Sequence, residues 1–372
     1  MKITVTIARI LTGLLFIFSG LVKAIDPRGL AYKMQEFFEA WSNDGFMKGL
    51  MEILNHYALS FSVIMITLEV VVGVALLIGW QKKLTIRILL LLMLFFTFLT
   101  GYVLFSGKIR ACGCFGDCIP LTPIQTFTKD IILLCLALLL LIKVKYITPI
   151  AKPFFSFIYI LLATVFTLVL QFYVLKHLPL KDCLPYKKGN DILKLREMPA
   201  GAIQDKYEYV FIYEKNGAKK EFSMSALPDS TWKFSDRKQT LVQKGKNNVP
   251  MINDFSLTDV DGIDQTENIL NDQGEYYLIF IKDLPGHSSN WLPELKRISS
   301  NATTQSKKVY VVTAQRDAIE MFLKKNNIKA DNIFTCDATA IKTAARVDLT
   351  LYTMKGPVVQ GKWAGADLDE VK

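Results

Sequence analysis

Residues 110–120 read RACGCFGDCIP, so three of the six cysteines in this 372-residue chain fall in one short loop. Apolar stretches flank the loop on both sides, at about 85–106 and 124–144. Each is as long as the roughly 20 apolar residues that a helix needs to cross a bilayer. Three further stretches qualify, at about 5–24, 58–80 and 153–175. The first is not read as a cleaved signal peptide. Arg9 interrupts it, Lys23 follows it, and no small-residue cleavage site closes it. What the cysteines can do depends on which side of the membrane they face.

The short loops answer that question. WQKKLTIR carries Lys82, Lys83 and Arg87 without an acid, and KVKYITPIAK carries Lys143, Lys145 and Lys152 without one. With five spans both loops share a side, and an excess of Lys and Arg marks that side as cytoplasmic. The segment 24–57 balances its charges and suits the outer side. The expectation is a bacterial inner-membrane protein with its N-terminus in the cytoplasm. The cysteine loop and everything beyond residue 176 then face the oxidising periplasm, where disulfides persist. The net charge of +10 is explained by these loops and by scattered surface lysines. It calls for no nucleic-acid partner. The lipid bilayer is the first partner, and a periplasmic protein client the second.

Composition changes near residues 177–190, and four regions follow: 1–148 a four-helix membrane domain, 149–178 a fifth span, 179–249 a β-rich linker module and 250–372 an α/β domain. YEYVFIYEKNGAKKEFSM alternates about Asn216-Gly217, a hairpin signal. In the last region, strand-like YYLIFI, KKVYVVTA and DNIFTCD alternate with helical SNWLPELKRISSNA, RDAIEMFLKKNN and ATAIKTAARVD, ahead of a closing hairpin. With DFSLTDVDG before them and GPVVQGKWAG after, this order resembles the thioredoxin-like fold of TlpA-type proteins and peroxiredoxins. A thioredoxin-like enzyme carries C-x-x-C after the first core strand. Here that position reads KDLPGHSSNWLPEL, and Thr350 stands where the family has a cis-proline. His287 and Ser288 read as a solvated turn. The resemblance therefore implies a redox-inactive domain kept for binding partners.

Ionisable residues inside apolar spans are costly and are paired or functional. Glu69 and Arg9 qualify, either as a structural pair between helices or as a polar site in the bundle. ARILTGLLFIFSGLVKAIDPRGLAYKMQEFF resembles the DoxX/MauE group of membrane proteins, through Arg9, Gly13, Ser19, Gly20, Lys23 and Pro27. Glu69 before VVVGVALLIG fits the second helix of that group. CGCFGDCIPLTPIQTFTKDIILL resembles the cysteine loop and last helix of the MauE branch, and the whole chain looks like the DoxX fusions of Bacteroidetes. MauE proteins are linked to maturation of a disulfide-rich methylamine dehydrogenase subunit, and the resemblance implies a role in disulfide chemistry.

Three readings of the loop stay open. In a thiol–disulfide relay, Cys112 and Cys114 would be the exchanging pair and Cys118 the resolving thiol. A C-x-C bridge is strained and hence labile, and Arg110 and Lys108 favour a thiolate. Electrons would pass to a membrane acceptor, with a quinone as the candidate cofactor and Glu69 with Arg9 beside it. Alternatively the bridges are structural, such as Cys118 to Cys183, in a non-enzymatic membrane anchor or assembly factor. A metal site is the third reading, with His56 or His177 completing it. C-x-C-x3-C is not the paired spacing of structural zinc, and each histidine reads better as an interfacial residue. Cys135 reads as an apolar filler.

Overall fold

A computed structural model describes residues 1–109, 112–113, 115–215, 217–243, 245, 247–283 and 291–371. Arg110, Ala111, Cys114, Asn216, His287 and Ser288 lie outside the described residues.

Five helices are long and apolar enough to span a membrane: α1 (Lys2–Ala24), α4 (Ala58–Ile78), α5 (Lys82–Ser106), α6 (Pro123–Ile142) and α7 (Pro153–Lys176). The 24–57 segment is itself helical, as α2 (Pro27–Asn43) and α3 (Lys48–His56). α2 starts where Asp26 caps the backbone N–H of Gly29, with Pro27 in the first turn. It buries Leu30, Met34, Phe37 and Phe38 on one stripe, and the Ser62 hydroxyl donates to the Pro27 carbonyl. Together α2 and α3 form a platform on the same end of the bundle as the cysteine loop.

α1 and α4 make the closest helix pair, and small residues allow it. A Cβ on Gly20 would lie 2.5 Å from a Val70 methyl, and one on Gly73 2.9 Å from the Gly13 carbonyl oxygen. Small residues let backbones approach in lipid, where dispersion and hydrogen bonds drive helix association. α7 stands at the edge of the bundle, largely exposed, and packs on α4 with the Gln171 amide donating to the Thr67 hydroxyl.

After α7 the chain passes through α8 (Ile192–Arg196) into a three-stranded antiparallel sheet of β1 (Lys206–Lys215), β2 (Ala218–Ser223) and β3 (Lys233–Gln243), in the order β2-β1-β3. Lys215 pairs with Ala218 across the expected two-residue turn, and Gly217 takes the left-handed conformation there. Leu184–Arg196 is not part of this sheet. Tyr186 and Ile192 are buried in the core of the next domain, and Gly189 and Ile192 donate to the carbonyls of Val359 and Pro357.

That domain contains α9 (Thr266–Leu270), β4 (Glu275–Ile281), α10 (Leu292–Thr304), β5 (Lys308–Thr313), α11 (Arg316–Lys325), β6 (Asn332–Thr335), α12 (Ala338–Ala344), β7 (Leu349–Lys355) and β8 (Val358–Ala364). Its sheet runs β6-β5-β4-β7-β8. β4, β5 and β6 are parallel, whereas β7 and β8 run antiparallel and close the sheet as a hairpin. The strand β4 is buried over 276–281, as expected when both faces of a sheet are covered. One core packs Phe255, Phe280 and Tyr352 with α12. The other packs Ile279 and Leu351 with α10 and α11. The DFSLTDVDG lead-in adds Phe255 and Leu257 to the core, and pairs through isolated bridges from Thr258 to Asp264 and Thr335.

The substitution Gly73→Val should lower the unfolding free energy of the detergent-solubilised protein by about 1–3 kcal/mol through overpacking. Gly49→Ala, where a Cβ meets nothing within 4 Å, is the control. Equal melting temperatures for the two variants would refute the close α1–α4 contact.

Candidate functional site

The cysteine loop is built from its ends inward. α5 stops at Gly107, which is left-handed (φ 66°), and Ile109 drops into the bundle core. α6 starts with a capping box, in which Thr122 caps the Gln125 N–H and the Gln125 side chain returns to the Thr122 N–H. Between them, Gly113 (φ 69°) and Gly116 (φ 59°) take backbone angles that favour glycine, and Gly116 N–H donates to the Gly113 carbonyl. Cys112 is 6% exposed and packs with the bundle core. Phe115 stacks against Phe18 and lies over the Lys129 ammonium, 4.8 Å from ring centroid to Nζ.

Cys118 is bonded to Cys183, with Cα atoms 5.0 Å apart and a sequence separation of 65. The bond ties the loop to the segment just beyond α7, and the role of Cys118 as a resolving thiol stays an expectation. Cys114 lies outside the described residues, so its place in an exchanging pair with Cys112 stays an expectation.

The next residue of the loop to be fixed is Asp117. Arg346, at the end of α12, donates from Nη2 to Asp117 (2.7 Å) and from Nε to Asp26 (2.8 Å). Its remaining reach satisfies the Lys342 carbonyl, and the guanidinium lies 5.4 Å from the Tyr32 ring centroid. Arg346 is only 5% exposed. Burial alone would lower its pKa, but the Asp26 and Asp117 carboxylates outweigh that effect and hold it above the ordinary arginine value. Arg28 reaches Asp348 at 3.7 Å beside it. Elsewhere along the same junction His177 pairs with Asp367, and Lys362 with Asp182 (2.7 Å). The α/β domain is therefore docked on the loop end of the bundle by ion pairs and one disulfide.

Below the loop, the bundle holds a small polar cavity of about 20 Å³, lined by Ser19, Lys23, Glu69, Phe115, Lys129 and Asp130 among others. Lys23 donates to Glu69 at 2.5 Å with both side chains buried, and its ammonium lies 4.7 Å from the Phe96 ring centroid. Lys129 pairs with Asp130 at 2.7 Å, and the Thr100 hydroxyl donates to the other Asp130 oxygen.

The expected Glu69–Arg9 pair is not formed, because Lys23 occupies the carboxylate. Arg9 sits at the opposite end of the bundle. It donates to the carbonyls of Leu76 and Leu77 in the last turn of α4, where a cation suits the helix C-terminus, and to the carbonyl of Thr148 in the 143–152 turn. With Lys82 donating to Ile147, it fixes the 143–152 turn against the end of α4. Nothing places Arg9 beside a ligand site near Glu69.

Sequence reasoning missed four residues here. Lys23 looks like a flanking charge, although a lysine in the last turn of a helix can point inward when an acid waits there. Asp130 lies within an apolar span and was the signal overlooked. Arg346 and Asp117 carry no local mark, because only the docking of distant segments makes them partners. Among the remaining candidates, Cys135 is exposed on α6, Cys336 is buried, and His56 stacks edge-on against Tyr57.

Comparison with known proteins agrees with the membrane half of this picture. Residues 1–143 match the family model described as Methylamine utilisation protein MauE. Residues 207–244, the three-stranded sheet, match a model described as a domain of unknown function (DUF8463). Protein TlpB of Flavobacterium psychrophilum is 34% identical over 165 residues, which is 44% of this chain and 42% of that protein. The chain thus spans about two fifths of the length of this curated relative. No solved structure matches. Residues 1–143 are thus similar to the MauE family, with five helices apolar enough to cross a membrane and a strand-rich part after them.

Breaking the buried pair should be expensive. Lys23→Met or Glu69→Leu alone should each cost about 3–5 kcal/mol by stranding one charge, and the double substitution should recover most of that loss. Thermal unfolding of the four proteins checks this, and additive single effects would refute the pairing. A second outcome follows from burial of the Cys336 thiol, which pushes its pKa up to about 11. The folded protein should leave Cys336 unalkylated by iodoacetamide at a pH near that of ordinary thiol ionisation, and unfolding should expose it. The unfolded chain ionises first, so the stability from this thiol falls as pH rises between the two values.

Proposed function

We propose that this chain is a membrane thiol–disulfide exchange protein whose chemistry is carried by the CGCFGDC loop. The supporting observation is the placement of that loop. It is pinned by Cys118–Cys183 and by Arg346–Asp117 at the junction of the bundle and the α/β domain, where a partner can reach it. In this reading Cys112 and Cys114 are the exchanging pair, and the loop faces the periplasmic side of a bacterial inner membrane. The orientation is supported by the basic turns at 81–87 and 143–152, which sit at the end opposite the loop. The cation–carboxylate cluster of Lys23, Glu69, Lys129 and Asp130 lies directly beneath the loop. It replaces Glu69–Arg9 as the polar group nearest any membrane acceptor, for which a quinone is the candidate.

The α/β domain is read as thioredoxin-like. The β6-β5-β4-β7-β8 order with an antiparallel closing hairpin supports that reading, as does the sequence resemblance. The position after β4 has no cysteine in KDLPGHSSN, and Thr350 is buried within β7. The domain therefore recruits a client rather than exchanging electrons through C-x-x-C. A DoxX-type fusion and the similarity to Protein TlpB fit this reading.

A specific observation favours a second reading, a non-enzymatic anchor with structural bridges. Cys118–Cys183 joins two segments that Arg346 and Lys362 also hold together, as a staple would. Alkylation with a membrane-impermeant maleimide separates the two. Under mild reductant, labelling of the loop at Cys114 on the native protein in sealed membranes, ahead of the buried Cys112, is the expected result. Labelling that begins only after denaturation would leave the anchor standing and remove the exchange protein.

A further inference from the structure

The disulfide itself has an open approach that the loop reading does not use. A cleft of about 380 Å³ lies between α2, the cysteine loop and α12. Its walls include Tyr32, Lys33, Asp117, Cys183, Lys342 and Arg346. Cys183 lines the cleft, whereas Cys118 is not among its wall residues. Both cysteines are half-buried. Three cations line it, Lys33, Lys342 and Arg346, against three carboxylates, Glu36, Glu39 and Asp117. Lys33 pairs with Glu36 and Arg346 with Asp117, and the Lys342 ammonium rests 5.4 Å from the Tyr32 ring centroid. A staple made only for stability has no need of an open approach to one of its two sulfurs.

We propose that Cys118–Cys183 is a redox-active bond and that the cleft admits a cysteinyl peptide thiolate to the sulfur of Cys183. The inference rests on the exchange reading above and changes which sulfur meets the client. The incoming thiolate attacks Cys183 Sγ, a client–Cys183 disulfide forms and the Cys118–Cys183 bond breaks. Cys118 leaves with the electron pair and takes up the proton the client gave up. A second client thiolate then attacks the client's own sulfur in the mixed disulfide, and Cys183 leaves as a thiol. The client is oxidised by two electrons and the Cys118/Cys183 pair is reduced by two. Cys118 is released into the loop whose sequence also carries Cys112 and Cys114, the pair that would reoxidise it. Positive charge favours the anionic nucleophile and the leaving thiolate, and Lys342, whose ammonium faces the Tyr32 ring, supplies it among the mixed charges of the cleft.

The test uses the full chain in detergent micelles, with glutathione and a reduced folded protein dithiol as two separate probes. Peptide mapping after acid quenching locates the adduct. The expected product is a mixed disulfide on Cys183 with Cys118 alkylatable, and the faster probe identifies the source of the thiol. Lys342→Gln should slow adduct formation about three- to tenfold at low ionic strength and less at high salt, as screening predicts. An adduct on Cys118 instead would overturn the proposal. So would a bridge that stays intact in the folded protein while Cys112 or Cys114 react, a result that leaves the loop exchange standing. If the bridge and the loop are both silent until denaturation, the exchange reading falls as well.

Discussion

The Arg346 guanidinium, between Asp26 and Asp117, holds the two halves of this protein in register. A cation so nearly buried is tolerable only with its charge matched and its donors used. Here one carboxylate caps the first turn of α2 and the other sits in the cysteine loop. The contact therefore joins Arg346 to two segments 320 and 229 positions earlier in the chain. Because Asp26 is also a helix cap, its own position is set by local backbone geometry, and Arg346 docks onto a prepared acceptor.

From that contact the rest of the junction follows. Fixing Asp117 fixes the adjacent Cys118, which brings it to the chain emerging from α7, where Cys183 waits. Lys362 with Asp182 and His177 with Asp367 repeat the same pattern at the base of the α/β domain. The cleft beside the disulfide exists because these rigid parts meet at ion pairs, without a continuous apolar interface. Beneath them the bundle keeps its charges in local pairs. Lys23 with Glu69 and Lys129 with Asp130 are each neutral overall, which is how ionisable groups persist inside apolar surroundings.

Much of the architecture was legible in the chain itself. Five apolar stretches of membrane-crossing length are α1, α4, α5, α6 and α7, because length and hydropathy alone decide that a segment can satisfy its backbone within a bilayer. The turn about Asn216-Gly217 and the strand at 276–281 were equally plain, since turn geometry and a continuous apolar run are local properties. The helices α2 and α3 were less so. Their apolar stripe is interrupted by balanced charges and reads as a loop until Phe37, Phe38 and Trp41 are seen packed against the bundle.

The sequence by itself determined the number of apolar helices, the grouping of cysteines in a glycine-bearing loop and the absence of C-x-x-C from the last domain. Each depends on residue type and spacing along the chain. Only the tertiary structure decided that Glu69 belongs to Lys23, that Arg9 closes the far end of α4, and that Cys118 is joined to Cys183. Those choices depend on which distant groups compete for the same buried charge or sulfur. A chain read one window at a time carries no record of that competition.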